Sequence, residues 1–158
     1  MTGRELALIL GVLILDQASK WAASTWLVYG VPWTLAPVFS LTLLHNEGAA
    51  FSVLAEAGGW QRILFIVLAV GVVVYALRAL RTTPSGWTRW GLVCIVPGAI
   101  GNAIDRAVFG YVVDFVHLHW QSWSFPAFNV ADVAITIAAG TLVLGMWYDA
   151  RHRTEVQS

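Results

Sequence analysis

Four apolar windows, each long enough for one membrane-spanning helix, constrain this chain more than any other feature of its sequence. They lie at roughly 5–27, 60–80, 88–108 and 130–149. A helix needs about 20 mostly apolar residues to cross the hydrocarbon core of a bilayer. Only 11% of the 158 residues are charged, whereas soluble domains carry about 25%. The sequence therefore predicts one integral membrane domain over residues 1–158, with four transmembrane helices.

The distribution of Lys and Arg predicts the direction of the four spans. The segments 28–59 and 109–128 contain neither residue. Basic residues instead lie before span one, between spans two and three, and after span four: Arg4, Arg78, Arg81, Arg89, Arg151 and Arg153. Because positive charge marks the cytoplasmic side, we expect both termini in the cytoplasm and the two longer segments outside it.

The two outer segments are too apolar to be ordinary polar loops. "VFSLTLLHN" (38–46) and "YVVDFVHLHW" (111–120) are rich in β-branched and aromatic residues, which is typical of short strands. They predict a small antiparallel sheet outside the cytoplasm, so that the fold class is an all-α membrane protein with a small β element. "VLAEAGGWQRIL" is compatible with a short interfacial helix before span two.

Several functions and sites are disfavoured by composition. Nine Lys and Arg balance nine Asp and Glu, which argues against a nucleic-acid partner bound by bulk charge. Cys94 is the single cysteine, so the chain has no intrachain disulfide. His117 and His119 share one face of the proposed strand, where we interpret them as interfacial residues rather than metal ligands.

Polar residues gather at the outer ends of spans three and four, where ionisable side chains are candidates for function. An outer segment of about 20 residues joins these spans, so their ends must lie close together. The candidates are Asn102, Asp105, Arg106, Asp114, Asn129 and Asp132. A purely structural interpretation also exists, in which Asn129 caps span four and Asp132 completes the helix start. Likewise, Asp16 and Lys20 are spaced as an i,i+4 ion pair, and Asn46 suits a turn.

Carboxylates brought together in a poorly hydrated place suggest hydrolysis. Their pKa values separate, so that one acid stays protonated while the other is ionised. The ionised acid can then take a proton from water while the protonated acid polarises a carbonyl. Spacing alone does not choose two acids among Asp105, Asp114 and Asp132. A proton-coupled transporter and a membrane scaffold also remain open at this point.

Five motifs give the chain a family resemblance. It resembles the lipoprotein signal peptidases (signal peptidase II), which are bacterial membrane aspartic proteases. The matching motifs occur in the order of the family and extend over nearly the whole chain: "DQASK" (16–20), "NEGAAFS" (46–52), "GNAIDR" (101–106), "VVDF" (112–115) and "FNVADVAI" (128–135).

The resemblance implies a catalytic pair made of Asp114 and Asp132. It further implies that five residues bind substrate or support that pair, and that two support the surrounding structure. The five are Asn46, Asn102, Asp105, Arg106 and Asn129, and the two are Asp16 and Lys20.

The same resemblance implies the substrate and the location. The substrates would be prolipoproteins, cleaved just before a cysteine modified with diacylglycerol, and no metal or organic cofactor would be needed. We expect a monomer in contact with lipid in the bacterial inner membrane, with its active site near the extracytoplasmic face.

Overall fold

The helices of the structure follow the apolar windows of the sequence. The computed structural model describes residues 1–48 and 59–156. Within these ranges there are four helices, α1 (Gly3–Trp26), α2 (Trp60–Ala79), α3 (Trp87–Phe109) and α4 (Val130–Val156). Each is long and apolar enough to cross a membrane, α4 over Val130–Tyr148. The four predicted helices are therefore present.

A four-stranded antiparallel sheet lies at one end of the helices. It consists of β1 (Trp33–Ala36), β2 (Phe39–Asn46), β3 (Val112–Trp120) and β4 (Trp123–Ser124), in the order β1-β2-β3-β4. The central strands β2 and β3 correspond to the two predicted strands, whereas the edge strands β1 and β4 were not predicted. Of the segment proposed as an interfacial helix, residues 53–58 lie outside the described residues and residues 60–64 form the start of α2.

The pairing of β2 with β3 places polar residues at one edge of the helices. Leu44 pairs with Asp114 and Asn46 pairs with Val112. Because side chains alternate between the faces of a strand, this register fixes which way Asp114 and Asn46 can point. The end of β2 and the start of β3 therefore lie next to each other, beside the first turn of α4.

Glycines allow α3 to pack closely on α4. A Cβ atom added to Gly98 would lie 2.6 Å from the carbonyl oxygen of Ala131 and 2.7 Å from Ile135 Cγ1. A Cβ atom on Gly101 would collide with the carboxylate of Asp16. The absence of side chains here lets three helices, α1, α3 and α4, approach each other where α4 begins.

An ion pair joins three helices at the opposite end. Arg89 on α3 contacts Glu5 on α1 through two nitrogens, at 2.6 and 3.0 Å. Its third nitrogen donates to the carbonyls of Leu80 and Thr83, at 2.9 and 2.6 Å, just after α2. This cluster ties the helices together far from the sheet.

Candidate active site

The structure brings all nine candidate residues into one hydrogen-bonded network. They come from α1, β2, α3, β3 and the start of α4. Each makes at least one hydrogen bond or ion pair with the side chain or the backbone of another member. The members are Asp16, Lys20, Asn46, Asn102, Asp105, Arg106, Asp114, Asn129 and Asp132.

Asp132 lies at the N-terminus of α4, as the spacing with Asn129 predicted. The backbone N–H of Asp132 donates to Asn129 Oδ1 at 2.9 Å, and the backbone N–H of Asn129 donates to Asp132 Oδ2 at 3.2 Å. This reciprocal arrangement is a capping box. Asp132 Oδ1 is not used by the cap and accepts from Asn102 Nδ2 at 2.8 Å. Asp132 therefore both finishes the helix and faces the network.

Asp114 is a buried carboxyl held by two amides. Asn46 Nδ2 donates to Oδ2 at 3.0 Å, and Asn129 Nδ2 donates to Oδ1 at 2.7 Å. Burial, and after it the negative charge of Asp132, raise the pKa of Asp114 to about 7, although both amides and Lys20 lower it in part. Because the charge of Asp132 acts on Asp114, the two carboxyls are close enough to titrate together.

The amides of Asn102 and Asn129 connect these two carboxyls. Asn129 Nδ2 donates to Asp114, and it also lies 3.3 Å from Asn102 Oδ1. Asn102 in turn donates to Asp132. The oxygen and the nitrogen of each amide both make hydrogen bonds, so the orientation of the N–H donors that face the two acids is fixed.

A second group of charges lies behind the first. Lys20 Nζ is 2.9 Å from Asp16 and 3.0 Å from Asp105, and it donates to Asn102 Oδ1 at 3.0 Å. Asp105 is therefore separated from Asp132 by Lys20 and Asn102. The Asp16–Lys20 ion pair predicted from their i,i+4 spacing is present.

Arg106 lines the other side of the network. Its guanidinium donates to the carbonyl of Gly48 at 2.8 Å and lies over the ring of Phe65, 4.8 Å from the centroid. Its Nε is buried and has no hydrogen-bond partner among the described residues. Arg106 therefore has one donor that no described residue satisfies.

A cavity of about 550 Å³ opens onto this network. Its polar end is formed by Asn46, Asn102, Arg106 and Asp132. The rest of its wall is mostly apolar and comes from the β3–β4 hairpin and the first turns of α4: Leu118, Trp123, Phe125, Phe128, Val133, Ile135 and Ile137. Asp114 adjoins the cavity through Asn46, which lines it. The shape suits a ligand with a polar group and long hydrocarbon parts.

Two residues of the site were not assigned from the sequence. Gln17 Nε2 lies 3.1 Å from both Asp16 Oδ2 and Asp105 Oδ1, and its position inside "DQASK" was the available signal. Phe65, which contacts Arg106, gives no signal in the sequence because it is one apolar residue within a span.

Comparison with known proteins connects most of the chain to one family. The family model for signal peptidase (SPase) II matches residues 8–148. A lipoprotein signal peptidase of Neisseria meningitidis serogroup C (strain 053442) is 46% identical over 143 residues, covering 89% of this chain and 87% of the relative. One of Acinetobacter baylyi is 43% identical over 152 residues, covering 95% and 85%.

Solved structures share the fold. A bacterial membrane enzyme structure obtained by the in meso method at 2.3 Å resolution has a TM-score of 0.86 and 25% identity, covering 95% of this chain and 91% of its own. A second, at 1.9 Å resolution, has a TM-score of 0.80 and 24% identity, covering 92% and 94%.

Proposed function

This chain belongs to the signal peptidase II family, and from that membership we propose that it removes signal peptides from prolipoproteins in the bacterial inner membrane. Its four apolar helices fit a multi-pass membrane protein. The cut lies just before a cysteine that carries diacylglycerol. The reaction is an aspartic peptidase reaction, in which two carboxyls activate water.

The two carboxyls are Asp114 and Asp132, here called the dyad. What supports this choice is their linkage through Asn129, whose amide donates to Asp114 while its backbone N–H donates to Asp132. The carboxylate of Asp105 has other partners, because it binds Lys20, Gln17 and the backbone N–H of Val113. It supports the dyad and does not react.

The two acids have different roles. Asp132 lies in the first turn of α4, where the helix dipole favours the ionised form, and it acts as the base that takes a proton from water. The pKa of Asp114 is raised to about 7 by burial and by Asp132, so at neutral pH it is protonated in a large fraction of molecules. Asp114 then donates to the scissile carbonyl oxygen as water attacks.

The cavity matches a substrate that is largely hydrocarbon and is cut at a peptide bond. Its apolar walls suit the lipid and the apolar signal peptide. Backbone unwound near the cut needs hydrogen-bond partners that lipid does not provide. Arg106, which lines the polar end of the cavity, binds a carbonyl of that backbone.

The proposed function is tested by incubating purified protein with a diacylglyceryl-modified prolipoprotein and measuring product masses. Wild type should yield the free signal peptide and a lipoprotein beginning with the modified cysteine. Asp114→Asn and Asp132→Asn should each reduce cleavage by about 10⁴-fold or more, and the double variant should be no worse, because residues that act as one unit are not additive.

Glu5→Gln is the matched control, since Glu5 is a buried carboxylate at the other end of the same bundle. It should keep most of the activity. Robust cleavage by either dyad variant would show that the wrong carboxyls were chosen. Failure of wild type to cleave the modified substrate would exclude the function itself.

A further inference from the structure

Lys20 is the centre of a buried cluster that reaches both sides of the site. It is 3% exposed, and its ammonium lies 2.9 Å from Asp16 Oδ2 and 3.0 Å from Asp105 Oδ2. Gln17, one turn away on α1, joins the same two carboxylates through one amide nitrogen. The two carboxylates are therefore held together by one cation and one neutral donor.

Each of these carboxylates also holds the backbone next to one dyad residue. Asp16 Oδ1 accepts the backbone N–H of Ala131 at 2.8 Å, and Ala131 immediately precedes Asp132. Asp105 Oδ2 accepts the backbone N–H of Val113 at 3.0 Å, and Val113 immediately precedes Asp114. The same relation thus occurs twice, once on a helix start and once on a strand.

Lys20 has a third effect, on the amide of Asn102. An amide side chain accepts at its oxygen and donates at its nitrogen. Because Lys20 donates to Asn102 Oδ1 at 3.0 Å, the nitrogen end must face Asp132, to which it donates at 2.8 Å. Lys20 therefore also decides which end of Asn102 the carboxylate of Asp132 meets.

We propose that Lys20 is a positioning residue, which sets the separation and orientation of Asp114 and Asp132 by joining Asp16, Asp105 and Asn102. This inference rests on the proposed function, because it assigns the way in which the dyad of that reaction is aligned. Lys20 itself contacts neither dyad carboxyl by a hydrogen bond or ion pair among the described residues. Its effect on the geometry of the dyad therefore passes through the residues that it holds, whereas its charge also acts on Asp114 directly.

If Lys20 had a purely structural role, its loss would affect stability but not the alignment of the dyad. The Arg89–Glu5 ion pair of the same molecule serves as an example of such a structural role. Arg89 and Glu5 form a partly buried ion pair between α1 and α3, at the end of the bundle away from the sheet. Loss of either cation leaves a buried carboxylate unpaired and destabilises the protein. Only loss of Lys20 should also misalign reacting groups, for which a displacement of about 1 Å can cost about 10²-fold in rate.

The experiment compares Lys20→Met with Arg89→Met, in full-length protein, using a diacylglyceryl-modified prolipoprotein as substrate. Thermal stability should fall in both variants. In Lys20→Met, kcat should fall by about 10²-fold, with KM changed by less than about threefold because substrate contacts remain. In Arg89→Met, kcat should stay near that of wild type at a temperature where the protein is folded.

The pH–rate profile adds a measurement that a structural role would not change. Among the described residues, the charges that act on Asp114 are Lys20 on α1 and Asp132 on α4, together with Arg106 on α3. Asp16 and Asp105 are the ion-pair partners of Lys20. The positive charge of Lys20 lowers the pKa of Asp114. Its removal should therefore shift the profile of Lys20→Met toward higher pH, whereas Arg89→Met should keep the profile of wild type.

Two further variants cover the case in which Lys20→Met does not fold. The double variant Lys20→Met/Asp105→Asn removes one charge of each sign, and the new amide oxygen can still accept the backbone N–H of Val113. The link between residue 105 and Asp16 through Lys20 is broken, so kcat should still fall by about 10²-fold. Gln17→Leu removes the neutral bridge and the bond of the same nitrogen to the carbonyl of Gly101, but no charge. It should lower kcat by about tenfold without moving the pH profile.

Equal losses of kcat in Lys20→Met and Arg89→Met would overturn the positioning role. A wild-type kcat in the double variant Lys20→Met/Asp105→Asn would overturn it too. Neither result would contradict the proposed function as long as the wild-type protein cleaves the substrate. An inactive wild type would instead overturn the proposed function.

Discussion

At the scale of single residues, Asp114 makes the folded protein less stable as the pH rises, which is the opposite of what most native carboxyls do. Its pKa is raised from 3.8 to about 7 in the folded protein, so the folded protein binds this proton more tightly than the unfolded chain does. The resulting stabilisation is complete below a pH of about 4 and is lost as the pH rises through about 7. Ionising Asp114 thus costs stability.

We therefore expect wild type to lose thermal stability relative to Asp114→Asn as the pH rises from about 4 to about 8. The variant has no ionisable group at this position, and the contributions of carboxyls that do not interact with Asp114 cancel in the comparison. Because the new amide disturbs the bonds to Asn46 and Asn129, the informative quantity is the change in the Tm difference with pH. A Tm difference that stays constant over this range would contradict the raised pKa.

The candidate residues could be predicted only in part from the sequence. The i,i+3 spacing of Asn129 and Asp132 predicted the helix cap, and the i,i+4 spacing of Asp16 and Lys20 predicted their ion pair, because local geometry fixes such contacts. The choice of Asp114 over Asp105 came from the family resemblance. Contacts such as Asp16 with the backbone of Ala131 join residues 115 apart in the chain, and no local pattern encodes them.

At the scale of elements, the fit of α3 against α4 places the start of α4. Gly98 lies against the carbonyl of Ala131 and against Ile135. We expect Gly98→Ala to push the two helices apart, to destabilise the protein by about 1–3 kcal/mol through overpacking, and to lower cleavage because Asp132 follows Ala131. Thermal unfolding and the product assay would measure the two effects.

Gly140→Ala is the control for this substitution, since Gly140 is on α4 and a Cβ atom there would meet nothing within 4 Å. Helix propensity alone favours alanine by about 1 kcal/mol at both positions. Equal behaviour of the two variants would mean that the close approach at Gly98 has no effect on the site.

The helices could be predicted from the sequence because a single physical requirement, a long apolar segment, determines them. Long apolar windows predicted the four helices, because lipid demands internal hydrogen bonds. α4 continues to Val156, beyond the predicted window, since residues 149–156 contain no Gly or Pro to stop a helix. The strands β1 and β4 have four and two residues, which is too short for an alternating pattern, and pairing with β2 and β3 is what forms them.

At the scale of the whole molecule, the termini and the α2–α3 turn lie at one end of the bundle and the sheet at the other. The Lys and Arg distribution predicts that the sheet end is extracytoplasmic. Single cysteines at Ser122 and Ser85, both exposed, in a Cys94→Ala background should therefore react with an impermeant thiol reagent from opposite sides of the membrane. Reaction of both from one side would be incompatible with four spans.

The bond between Asp16 and Ala131 has a consequence for biosynthesis. The ribosome makes α1 first and α4 last, so Asp16 meets the backbone of Ala131 only when synthesis is nearly complete. Until then, Lys20 neutralises Asp16 within α1 itself, 2.9 Å away, which lowers the cost of inserting this helix alone into lipid. We therefore expect a nascent chain that lacks its fourth span to insert α1 into the membrane but to have no assembled site.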